Sequence, residues 1–323
     1  MDISDILNKL EEKKHIEENT KYVIESYENT KLFSLHYELR LLLYLGILLL
    51  SSGLGVVIYQ NIDSLAHSVI VAAISFLVLI SFTLAFWKRS AFSWLEVKNT
   101  NTLSDFSLLL ACLSFLTLEG YLQYQYQFFG EKYGLVTFIP AVLFFFCAYF
   151  FDHRGVLSMA ITALASWVGV SIAPFSAFSK NDFTTSQFIL TAIALGLFLS
   201  AIALLSEYKN LKKHFAFSYL LMGSNLALIA ALTGVFNSTI PYFYAFVVWL
   251  ISYGLIFYAQ KKQSYLFFLM GVLFAYIVFT KVFFDIMPMN DITFWITAYY
   301  FIGSGIGVIT LLTKLKHILK IKK

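Results

Sequence analysis

Residues 40–63 read RLLLYLGILLLSSGLGVVIYQNID, from Arg40 to Asp63. No side chain from Leu41 to Tyr59 is charged. A helix needs about 20 such residues to cross the hydrocarbon core of a bilayer, so this stretch predicts a membrane span. The chain before it is charged; the chain after it is mostly more of the same apolar kind. Working outward, hydropathy predicts ten spans: 41–59, 67–87, 103–123, 134–151, 156–175, 184–206, 214–232, 242–259, 265–285 and 293–312. The expected fold class is therefore all-α, a polytopic membrane helix bundle. It has a helical leader at 1–40, the bundle at 41–312 and a basic tail at 313–323.

Composition points the same way. The 323 residues are 59% hydrophobic and only 13% charged, where a soluble domain carries about 25% charged residues. The 34 Phe and 20 Tyr exceed what one soluble core hides, which makes lipid their expected solvent. Cys112 and Cys147 both fall inside spans and read as small apolar residues, not as a disulfide or a metal site. The net charge of +4 is no sign of nucleic-acid binding, because Lys and Arg sit in short loops and tails. The leader, Met1 to Arg40, carries nine acidic and six basic side chains. That rules against an early apolar signal region, and the first span is expected to act as an uncleaved insertion signal.

The loops fix an expected orientation. With the N-terminus cytoplasmic, twenty Lys and Arg fall on the cytoplasmic side, two (Lys132 and Lys180) fall opposite, and Lys281 lies within a span. Such asymmetry follows the positive-inside rule and places both termini in the cytoplasm. The linkers are short, with DHRG between spans four and five and QKKQ between eight and nine, so neighbours must run antiparallel. The longest, Lys88 to Thr102, mixes Ala91, Phe92, Trp94, Leu95 and Val97 with charges. It reads equally as an interfacial helix or a plain loop. Spans three to five and seven to nine look faintly alike, as repeats in transporters do, although apolar helices resemble one another by composition alone. All four prolines, Pro140, Pro174, Pro241 and Pro288, fall at or near the outer ends.

In the leader, Ile3, Ile6, Leu7 and Leu10 and then Ile16, Thr20, Val23, Ile24 and Tyr27 recur at helical spacing. Two short amphipathic helices over residues 2–30 are expected. They serve either as a docking pair for a cytoplasmic protein or as a solvated pair on the span ends.

The opening stretch also carries a family resemblance. Leu45-Gly46-Ile47-Leu48-Leu49, Gly53, Gly55 and Ile58-Tyr59-Gln60-Asn61-Ile62-Asp63 resemble the start of a bacterial family of predicted membrane proteins, domain of unknown function 2157. Ile62 stands where that pattern has Trp. The leader fits through Leu7, Leu10 and Ile16-Glu17-Glu18, with Lys14 and His15 where a Gly is expected. Phe-Phe-Asp-Ile at 283–286 is similar to the end of related multi-span families. The likeness runs from the start of the chain to about Leu65. It implies a multi-span protein of the bacterial inner membrane, and it supplies no catalytic residues.

No soluble-enzyme motif survives inspection. Gly303-Ser304-Gly305-Ile306-Gly307 lies inside an apolar span with no preceding strand, so a phosphate cradle is excluded. The Gly303/Gly307 spacing, like Ser51/Gly55 in span one, suits close helix packing. The six His make no i, i+4 pair for zinc, and neither metal nor cofactor is expected. The charges inside spans matter more, because a lone ion there costs at least about 2.5–3.5 kcal/mol. Glu119, with Gln123 one turn on, and Lys281, with Asp285 one turn on, lie at similar outer depth. Asn61, Asp63 and His67 flank the nearby outer turn. This set reads as an outer polar pocket in which Lys281 receives a small anionic ligand, or as a structural ion pair that snorkels to the interface. Either version expects spans three and nine to be neighbours, with Glu119 facing Lys281.

Taken together, the residues point first to a small-molecule transporter or permease. A membrane scaffold or sensor acting through residues 2–30 comes second. An embedded enzyme comes last, since no acid, base or metal set converges.

Overall fold

The computed structural model describes residues 20, 36–60, 67–87, 89, 91–97, 102–130, 132–172, 184–287 and 291–319. Among them there are ten long helices and no strand: α1 (His36–Gln60), α2 (His67–Trp87), α3 (Thr102–Tyr126), α4 (Tyr133–Phe151), α5 (Arg154–Ile172), α6 (Ser186–Lys209), α7 (Ala216–Asn237), α8 (Pro241–Lys262), α9 (Tyr265–Ile286) and α10 (Asp291–Ile318). A short 3-10 turn, Lys213–Phe215, leads into α7. Nine of these, α2 to α10, are long and apolar enough to cross a membrane; in α1 the apolar run among the described residues is the shorter Leu41–Val57. The leader over residues 2–30 lies outside the described residues apart from Thr20.

The chain divides into two compact units, Met1–Leu54 and Gly55–Lys323, with the boundary inside α1. The second unit is built from hairpins. Helices α2 and α3, α4 and α5, α6 and α7, and α8 and α9 pack in sequential antiparallel pairs. Two-residue connections at Asp152–His153 and Gln263–Ser264 allow no other arrangement. Helix α7 is the hub, packing on α5, α6, α8 and α9. Phe144, Val156, Leu157, Ala160, Leu199, Phe215, Leu228, Ala231, Val248 and Val278 form a continuous core. Outward, the same helices present Phe76, Leu79, Phe146, Phe198, Leu250, Phe257 and Ile309. Apolar exposure on this scale belongs in lipid, since soluble monomers rarely show contiguous patches above a few hundred Å².

Of the two readings left open for Lys88 to Thr102, the described part, residues 91–97, takes the loop. One expectation is corrected. Among the described residues nothing packs closely on the Gly55 and Gly303/Gly307 positions: a Cβ added at Gly55, Gly303 or Gly307 meets nothing within 4 Å. Helix α10 instead reaches α9 through hydroxyls and rings. Tyr276 donates to Ser304 at 3.1 Å, the Thr280 and Tyr300 hydroxyls lie 2.6 Å apart, and Phe283 stacks on Tyr300. The glycines lie on the next line round the helix. Close approaches fall elsewhere: at α6/α7, where the carbonyl of Gly223 would lie 2.5 Å from a Cβ at Gly196, and that of Gly196 2.7 Å from one at Gly223, and at α8/α9, where the Ser252 carbonyl would lie 2.8 Å from one at Gly271.

Candidate functional site

Each of the middle hairpins is tightly packed within itself, and the two meet more loosely. Between α4–α5 and α6–α7 lies a crevice of about 600 Å³. Its walls are mostly apolar: Ile172 and Gly169 of α5, Phe188, Ala192 and Leu195 of α6, and Leu226 and Ile229 of α7. Four hydroxyls, Thr137, Thr162, Ser166 and Thr233, are its polar points. Three of them donate to carbonyls of their own helix: Thr137 to Gly134, Thr162 to Ser158 and Thr233 to Ile229. Their lone pairs remain free to accept from a ligand. Ligand sites commonly have this form, an apolar hollow with a few placed polar groups.

A second arrangement lies at the end of the bundle where the basic turns gather. Asp152, in the α4–α5 turn, is the centre. Its Oδ1 lies 2.9 Å from Lys212 Nζ and 2.5 Å from His214 Nε2, both from the α6–α7 turn. Its Oδ2 accepts the Val97 N–H at 2.6 Å. The three side chains are 3%, 1% and 5% exposed. The Lys212 ammonium meets Asp152 as an ion pair without hydrogen-bond geometry and also lies over the rings of Phe92 and Phe215. The Lys212 N–H donates to the Trp94 carbonyl at 3.0 Å. Segment 91–97 is thus a strap across both turns, held further by Glu96 on Arg154 at 2.7 Å. Lys212 takes φ 47, the left-handed region that costs an ordinary side chain about 1–2 kcal/mol, and Asp152, at φ 60, is the left-handed C-cap of α4. Beside Asp152, the Nδ1 of buried His153 accepts the Val156 N–H at 3.1 Å and so caps α5. Burial pushes the His153 pKa down, and Asp105 pulls it partly back. At the same end Glu207 of α6 pairs with Lys262 of α8 and accepts from Tyr258.

Residues 8–157 match the family described as predicted membrane protein (DUF2157). No curated protein and no solved structure matches the chain. The DUF2157 match runs well past Leu65, where the resemblance read from sequence stops, through α4 and one turn into α5. It includes the strap, Asp152 and His153, while Lys212 and His214 lie beyond it.

The polar residues singled out from sequence do not form one pocket. Lys281 is ion-paired with Asp285 on its own helix, both about one-third exposed, with the ammonium near the Phe236 ring. Glu119 is buried at 5% exposure, and neither carboxylate oxygen has a hydrogen-bond partner among the described residues. Helix α3 packs on α2, α4 and α5, and α9 packs on α7 and α8. The expected Glu119–Lys281 contact is therefore absent. Gln123 serves the α3–α4 turn, accepting from the Phe129 N–H and donating to the Gly130 carbonyl, both at 3.0 Å. His67 joins Tyr121 at 2.8 Å and Gln125 at 3.1 Å, an α2–α3 contact. Asn61 and Asp63 lie outside the described residues. Among the described residues no group of three His, Cys, Asp or Glu is placed to hold a metal.

Sequence reasoning passed over both the crevice and the Asp152 centre. One signal was available for the second: His153 and His214, two of only six histidines, each sit in a short turn beside a charged residue.

Proposed function

We propose that this protein is a small-molecule transporter or permease of the bacterial inner membrane, with both termini cytoplasmic and the basic turns facing the cytoplasm. One observation carries the reading: a crevice of about 600 Å³ between two helix hairpins inside a membrane-spanning array. Substrate sites of transporters lie between such bundles, near the bilayer midplane. Apolar walls with four hydroxyls suit a small, largely apolar molecule that offers one or two donors. Lys281 already carries Asp285, so we place the substrate in the crevice and not on that ammonium. Glu119 of α3, which lies outside the crevice and has no hydrogen-bond partner among the described residues, is an intramembrane ionisable group of the kind that transport pathways use. The proposal gives the chain no chemical reaction of its own.

The test is a thermal-shift screen of small metabolites on the purified protein, followed by uptake of each hit into proteoliposomes. A hit that is transported by the wild type, and neither bound nor transported by Gly169→Phe, supports the reading. The Cβ at Gly169 lies 3.9 Å from Phe188, which leaves room for a ring that fills the crevice. A hit that binds and is never transported would favour a sensor instead, as would loss of function on deleting residues 2–30. That alternative draws on the DUF2157 match, which takes in most of the leader and omits α6–α10. The orientation is checked with an impermeant thiol reagent on intact cells. Lys132→Cys should react and Lys262→Cys should not.

A further inference from the structure

The crevice and the Asp152 centre occupy opposite halves of the same four helices. The crevice takes Thr137 near the start of α4, Thr162 to Ile172 of α5, Phe188 to Leu195 of α6, and Leu226 to Thr233 of α7. Chain direction puts all of these away from the basic turns. In the other half the helices are sealed: Cys147, Phe151, Val156, Leu157, Leu199, Ala203 and Phe215 are buried in one core. At the turns themselves the contacts are polar ones around Asp152, with the strap across them, together with Phe215, which lies edge-on to Tyr149 of α4 and beneath the Lys212 ammonium.

This choice of contact needs a reason. A buried ion cluster is a poor way to stabilise a fold, because desolvation offsets most of the attraction and apolar side chains of similar volume often do better. Here it is combined with Lys212 in left-handed backbone, a strain that tends to persist at functional sites, while the left-handed Asp152 closes α4 as a helix C-cap. Such a contact has one advantage over an apolar seal. When it parts, the ions and the strap's backbone groups gain water, which offsets part of the cost of separating the apolar packing beneath it. Ion and hydrogen-bond partners of this kind are what two-state closures repack.

Resting on the transporter reading, we propose that Asp152, Lys212 and His214 form a releasable latch. It holds the α4–α5 and α6–α7 hairpins together at the basic-turn end and keeps the crevice closed on that side. Segment 91–97 is the strap that closes with it, through Val97 and Trp94. Release lets the two turns separate and opens the sealed half to the basic-turn side.

The test measures the latch without reference to any substrate. Spin labels at Phe146, in the last two turns of α4, and Leu211, both exposed side chains outside the latch contacts, report the separation of the two hairpin ends. The full-length wild type should give one short distance population. Asp152→Asn/Lys212→Met removes the carboxylate and the ammonium together; it should add a second, longer population while keeping a helical, cooperatively melting protein. An unchanged distance distribution in the folded double variant overturns the latch. Loss of the fold overturns it too, since a latch must part without the hairpins unfolding. Failure of the metabolite screen, by contrast, strikes the transporter reading and leaves this measurement standing.

Discussion

Replacing Gly196 by alanine gives the sharpest test of the helix packing. A Cβ there would lie 2.5 Å from the Gly223 carbonyl oxygen, 2.7 Å from the Ala227 nitrogen and 2.8 Å from the Ala227 Cβ. Two of these three atoms are backbone, so no rotamer change relieves them. Ordinary contact between non-bonded heavy atoms is about 3.5 Å, which means α6 and α7 must part by roughly 1 Å. Overpacking of this kind costs about 1–3 kcal/mol. Helix propensity works the other way, because alanine is favoured over glycine by about 1 kcal/mol in a helix interior. In a membrane, helix association rests on van der Waals fit, since lipid is as apolar as the helices. Lost fit along the rest of the α6/α7 seam therefore adds to the cost. Overpacking less the propensity gain leaves about 0–2 kcal/mol, and the lost seam fit places the net destabilisation in the upper half of that range, about 1–2 kcal/mol. It is read as a lowered midpoint in reversible SDS unfolding monitored by circular dichroism. Gly223→Ala should behave the same way, with its Cβ 2.7 Å from the Gly196 carbonyl. A Gly196→Ala protein as stable as the wild type would refute the reasoning.

Gly307→Leu should change the same midpoint by no more than about 0.5 kcal/mol, the range of a surface substitution, because nothing lies within 4 Å of the position; a large loss would mean that α10 packs through its glycines after all. Glu119→Gln and Lys281→Met should add within about 0.3–0.5 kcal/mol in a double-mutant cycle, as separated sites do, and recovery in the double variant would restore the pairing that the structure lacks. Glu119→Leu should raise thermal stability, since a buried carboxylate without a partner costs more than an apolar side chain, and a lowered midpoint would reveal a partner for it. For His153 the folded pKa lies below the ordinary His value because the ring is buried. Unfolding then takes up a proton, so the stability tied to this residue is present above about pH 6.5 and is lost as the pH falls through the folded pKa. Charging the ring also protonates Nδ1 and breaks its bond to the Val156 N–H. His153→Asn, which keeps a capping acceptor that does not titrate, should flatten the fall of the melting midpoint between pH 7 and pH 5, and an unchanged slope would remove the assignment.

Sequence alone determined the class, the helices and their order. Apolar runs of about 20 residues are read one at a time, and lipid as solvent lets little else satisfy the backbone. For that reason the span 67–87 and the helix His67–Trp87 coincide, and 265–285 and Tyr265–Ile286 end one position apart. Short polar turns between them left hairpins as the only local arrangement. Tertiary structure decided which hairpins meet and through which faces. Glu119 and Lys281 share a depth along the membrane normal, which sequence supplies, but they belong to helices that do not pack together, which it does not. The small-residue spacing at Gly303/Gly307 recurs at Gly196/Ser200 and Gly223/Ala227. Among the described residues the second and third have a helix against them and the first does not, because a spacing pattern specifies a flat face and not its partner. Asp152 comes from one turn, and Lys212 and His214 from another with two whole helices of chain between them. No periodicity links them; the antiparallel return of two hairpins does.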